Sequence, residues 1–137
     1  MAAWQASFDV LLPEAGLPED YSERLCLVLA AGSPWSRDEQ VWGNVDSDFI
    51  SVSLEPPVEM SARFDLRAWR PDLYERFLAF VQAAGATLHV ASGDVEGELV
   101  APTTEAFHNS IRQSQAARCV ADPKGYLSTL AEISTRK

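Results

Sequence analysis

The chain has 137 residues, of which 47% are hydrophobic and 23% charged; this is the make-up of one globular domain and excludes the low-hydrophobicity, high-charge regime of disorder. Its net charge of −9 arises entirely up to Glu59, where eleven acids face only Arg24 and Arg37; the nine acids and nine bases that follow cancel. Such a field repels polyanions and steers cationic surfaces, so nucleic acid is excluded as the expected partner and a basic one is favoured.

No stretch approaches the roughly 18 apolar residues that cross a bilayer, and the start Met1-Ala2-Ala3-Trp4-Gln5 has neither the basic nor the apolar part of a secretory leader. The expectation is a cytoplasmic protein without a membrane partner. Cys26 and Cys119 are too few for a disulfide framework, show no redox or metal spacing, and read as two small buried hydrophobes.

In chain order, Trp4, Ala6, Phe8 and Val10 alternate with Gln5, Ser7 and Asp9, the two-residue period of a strand with one buried face. Pro13 to Pro18 breaks that pattern. A helix follows, with Glu19, Asp20 and Glu23 in its first turns, a stripe of Tyr21, Leu25, Val28 and Leu29, and Gly32 as its stop. From Ser33 the composition is that of a loop, leading to a short strand near Gln40 to Gly43. Asn44 to Asp48 suits a turn, and Phe49 to Leu54 alternates again, so a hairpin is predicted.

The cleanest alternation comes after Pro56-Pro57. Val58, Met60, Ala62, Phe64 and Leu66 oppose Glu59, Ser61, Arg63, Asp65 and Arg67, so this strand, and with it the sheet, is expected to be covered on one face only. Pro71 to Gly85 reads as the main helix, with Leu73, Phe77, Phe80, Val81 and Ala84 on one stripe. Thr87–Ala91 and Glu98–Ala101 are short strands. Thr103 or Thr104 caps a helix to about Gln113, with Phe107 and Ile111 inward, and Asp122-Pro123 opens a last helix through Leu127, Leu130, Ala131 and Ile133. The expected fold is one α+β domain over residues 1–137: a mostly antiparallel sheet of five or six strands with helices on one face, whose middle resembles a ferredoxin-like two-layer sandwich with additions.

Chemistry-bearing patterns are sparse. Asn44, Asp46, Asp48 and Glu55 occupy calcium-loop spacings, but Phe49 stands where the loop needs glycine and a strand-like alternation follows, so no metal is expected. Phosphate-binding glycine motifs are missing, and no cofactor is implied. Neither His89 nor His108 lies in a nucleophile motif. Arg63, Arg67, Arg70 and Arg76 are interleaved with Asp65, Asp72 and Glu75, the pattern of a solvated face of mixed sign.

One constellation remains: Trp35, Asp38, Glu39, Trp42, Asp46 and Asp48 mix aromatic anchors with carboxylates in an irregular stretch. Indole rings with carboxylates aimed at a partner's Arg or Lys are a protein-docking chemistry; against this, Trp42 is also a natural sheet-core residue. The expectation is therefore a small acidic binding or inhibitor protein that neutralises a basic protein partner, such as a toxin or nuclease, with those six residues as the contact. Two alternatives are a small-ligand protein or enzyme using the His, Arg and carboxylate groups, and a homo-oligomeric subunit, for example a homodimer joined through Trp35 or Trp42.

Overall fold

The computed structural model describes residues 4–32, 39–91 and 96–121. The alternating segments form six strands: Gln5–Leu11 (β1), Glu39–Gly43 (β2), Phe49–Ser53 (β3), Glu59–Asp65 (β4), Thr87–Val90 (β5) and Leu99–Val100 (β6). They make one sheet in the order β2-β3-β4-β1-β5-β6, and every neighbouring pair is antiparallel. The helices are Tyr21–Cys26 (α1), Pro71–Ala83 (α2), Thr104–Arg112 (α3) and Gln115–Ala121 (α4). The expected α+β class is thus observed. Relative to a βαββαβ order, the β2-β3-β4 meander carries one more strand between the first two helices, and this reverses the direction of the strand that meets β1.

Register divides the sheet into two chemically different faces. On one face, Trp42, Ile50, Ala62, Phe8 and Val90 follow one another from strand to strand, with Val52, Met60, Val10, Leu88 and Val100 in the next row. All of them are buried. Phe64 lies at the middle of the helix contact, its ring centroid 5.0 Å from Phe77, 5.3 Å from Tyr74, 5.6 Å from Phe107 and 6.3 Å from Phe8. Tilted and edge-to-face rings at such distances add to the large area that each one buries. Helices α2 and α3 therefore dock through aromatics. α1 covers the β2 end, where Leu25 and Val28 are buried and Tyr21 meets Trp42 edge-on while donating a hydrogen bond to the Gln40 side chain at 2.6 Å.

Local chemistry explains several element ends. Pro71 occupies the first turn of α2, and Gly85, just past its end, takes φ of 67°, the left-handed conformation that suits glycine. Thr103 caps α3 by accepting from the Ala106 amide. Gly43 closes the β2–β3 hairpin at φ of 84°; a Cβ there would lie 2.1 Å from the Asp48 carbonyl oxygen, which the Asn44 amide needs as its acceptor.

One expectation changes and one helix is added. α1 ends at Cys26 and not at Gly32, because the following chain turns to run beside β2: Gly43 donates to the Ala30 carbonyl, Gly32 donates to the Val41 carbonyl, and Ala31 forms a bridge with Trp42. The helix α4, directly after α3, was not predicted; Ser114 starts it, its hydroxyl accepting from the Ala117 amide. The helix predicted from Asp122 lies outside the described residues.

Phe64→Ala or Phe107→Ala removes the ring that joins helices to sheet and is expected to cost about 3–5 kcal/mol, whereas Ser61→Ala on the opposite face stays within about 0.5 kcal/mol. Urea unfolding followed by circular dichroism measures both. Equal losses would show that the two faces do not differ in burial as described.

Candidate functional site

The face turned away from the helices carries the alternate residues of the same strands. Val41, Ser51, Ser61, Asp9, His89 and Leu99 form one row across it; Glu39 and Ser53 pair in a second row, beside Glu59; Phe49, Arg63 and Ser7 form a third. Exposed polar side chains in the middle of a sheet need no partner, so these positions can be spent on recognition. Ser51 and Ser61 share a hydrogen bond of 2.9 Å between their hydroxyls.

One end of this face is closed. The Asn44–Asp48 turn folds over it, held by the Gln5 amide, which donates to the carbonyls of Val45 (3.0 Å) and Ser47 (2.6 Å). Asp48 fastens the same turn to the end of β4: one carboxylate oxygen accepts from the Asp65 amide at 2.9 Å, the other from Arg70 at 2.6 Å. Phe49 is fully buried there, with the Arg63 guanidinium 5.5 Å from its ring centroid. Asp65 in turn accepts from Arg67, whose guanidinium lies over the Trp4 ring at 4.1 Å.

The other end stays open as a groove of about 870 Å3, lined by Asp9, Ser51, Ser53 and Ser61 along the floor and by Leu11–Glu14, Gly16 and Pro57–Val58 around it. Leu11 and Val58 expose nearly half of their surface. Of the charged residues that border the groove, Asp9, Glu14, Glu39 and Glu59 are acids and Arg63 is the base. None of those four carboxylates forms an ion pair among the described residues.

The six residues expected as a docking set are placed as follows. Trp35 and Asp38 lie outside the described residues. Trp42 is 2% exposed and faces the helices, in the core position that was its alternative reading. Asp48 is 2% exposed and holds the turn through Arg70 and the Asp65 amide. Asp46 is exposed on the turn, with its amide bonded to the Asn44 side chain and its carbonyl to Arg67. Glu39 reaches the groove. The groove residues that sequence reasoning did not single out, Asp9, Ser51, Ser61 and Glu59, were visible as the outward positions of each strand; their meeting depends on strand order.

Catalytic arrangements find little support in this geometry. Ser61, Asp9 and His89 are neighbours across three strands, but Asp9 lies between the other two, whereas a serine nucleophile needs the imidazole beside it and the carboxylate behind. His108 is packed with Trp69 (5.0 Å between centroids) and Tyr74 (6.0 Å) on the helix side. Burial pushes the Tyr74 phenol above its ordinary value, which keeps it protonated. Among the described residues no group of three or more His, Cys, Asp or Glu side chains could hold a metal ion. Comparison of the chain with protein-family models, with curated proteins and with solved structures finds no match in any of the three.

Burial raises the Asp48 carboxyl above its ordinary value of 3.8, against the opposing pull of the Asp65 amide and Arg70. The native protein therefore holds this proton more tightly than the unfolded chain does. The contribution of Asp48 to stability is greatest below 3.8 and falls as pH rises through the raised native value. Asp48→Asn keeps an acceptor for the amide and abolishes the titration, so the unfolding free energy of wild type minus that of the Asn variant should decline across this window and then level off. A difference that grows with pH reverses the sign. Asp48→Ala, which strands the Asp65 amide, should cost about 1–3 kcal/mol at neutral pH.

Proposed function

We propose that the protein binds a basic protein partner and neutralises it by covering the partner's cationic working surface. The single observation behind this is the charge: eleven acids against two arginines in the first 59 residues. Folding leaves most of those acids unspent. Ten of the eleven are described, and among the described residues Asp20 with Arg24 and Asp48 with Arg70 are the ones in ion pairs. Unpaired surface carboxylates contribute little to the stability of their own fold, and together they raise the rate and specificity with which a cationic surface is met.

A groove bordered by four acids and one arginine gives this field a place to act. A cytoplasmic setting fits the two cysteines, which are both free; Cys119 is buried as expected, whereas Cys26, on the last turn of the short α1, is exposed and not the buried hydrophobe it was expected to be. No described helix is long and apolar enough to cross a membrane.

Affinity capture from native extract at low ionic strength, with the retained proteins identified as salt is raised, tests the proposal. A basic protein should be retained and released well before about 1 M salt, where the screening length falls to ~3 Å. Its purified form should lose its own activity when mixed with the chain. Retention of acidic or neutral proteins alone, or release that ignores salt, overturns the proposal.

A further inference from the structure

The open face of the sheet has walls as well as charge, and the two together describe an occupant. Ser51, Ser53 and Ser61 make a neutral floor on β3 and β4. Carboxylates flank that floor on both sides: Asp9 on β1 lies across from Ser61, and Glu39 on β2 lies across from Ser53, with Glu59 beyond it on β4. Glu39 and Glu59 are two strand spacings apart, about 10 Å. The exposed aliphatic surfaces of Leu11 and Val58 stand at the rim, with Pro13 and Pro57 next to them.

Lysine and arginine combine a long apolar stem with a charged head and cover apolar surface with the first while the second stays polar. Stems laid on Leu11 and Val58 would bring their heads to Asp9, Glu14 and Glu59. Groups accepting hydrogen bonds dominate the floor and flanks, and an ammonium has three donors to give and a guanidinium five. Anionic or purely apolar occupants would leave four carboxylates unmatched at contact distance, which costs binding.

We infer that the groove receives an extended, lysine- or arginine-bearing segment of the partner protein, with basic side chains on the groove-facing side reaching the carboxylates on both flanks of the serine floor. In an extended chain every second side chain points the same way, so basic residues at alternate positions present their heads along one face. This inference rests on the proposed function above and assigns the surface and the form of the ligand.

The probe is a short fluorescein-labelled peptide of alternating lysine and serine, titrated with the full chain at low ionic strength and followed by anisotropy. Two double variants change charge equally: Asp9→Asn with Glu59→Gln in the groove, and Glu19→Gln with Glu23→Gln at the start of α1. All four side chains are exposed, so an unchanged thermal melt checks that both variants fold. The groove pair should weaken peptide binding about tenfold or more, and the α1 pair less than about twofold. Equal weakening by the two pairs overturns the groove assignment, since binding then follows total charge alone. A peptide that does not bind, while a basic protein is still captured and released by salt, overturns the extended-segment form and leaves the proposed function standing. Failure of both removes the two together.

Discussion

Phe64 and the rings around it hold the molecule in one orientation. Because Phe77, Tyr74 and Phe107 all meet Phe64 within 6 Å, the helices have a single face of the sheet to pack on, and the opposite face, beyond the end that the Asn44–Asp48 turn covers, is left to water. One-sided burial is the constraint from which the rest follows. It makes serine, aspartate and arginine admissible on alternate positions of the central strands, where a two-sided sheet would demand aliphatics. Positions released from packing in this way can carry charge at little cost to the core.

The turn at Asn44–Asp48 shows how the acidic region serves two purposes. Asp48 and the Gln5 amide fasten it across one end of the open face, so the groove has a closed side and a direction. Asp46, two residues earlier, faces solvent on the same turn. A buried carboxylate that accepts from a backbone amide and a guanidinium is a structural member, while its exposed neighbour remains available to the field. Sequence proximity therefore does not group these acids by role. Register does.

Much of the fold was legible from periodicity. Each of the six strands and the helices α2 and α3 appear within a few residues of where alternation, proline and glycine placed them, because those signals are local and the sheet rewards them directly. α1 ended earlier than its apolar stripe suggested, since Val28 is buried and Leu29 partly buried by tertiary contact after the helix has stopped and the chain has turned alongside β2. α4 was passed over because Gln115–Ala121 is only two turns long and is preceded by a capping serine that looks like loop chemistry. Strand order is a long-range property, so Asp9, Ser51, Ser61 and Glu59 could be read as outward-facing but not as neighbours. The Trp-and-acid stretch looked like a surface because its polar residues surround Trp42, whereas the pairing of Trp42 with Ile50 turns that indole toward the helices.

The segment Ala30–Gly32 occupies the outer margin of β2, exchanging two backbone hydrogen bonds with it, and at the far margin β6 offers only two residues. Lateral extension of this sheet by a foreign strand is thereby discouraged, which protects the chain from self-templated polymerisation. Among the described residues, little free backbone is left at either margin for a ligand to pair with. A ligand that settles on the wet face is read through side chains, and so its selection can drift by single substitutions there without disturbing the architecture beneath.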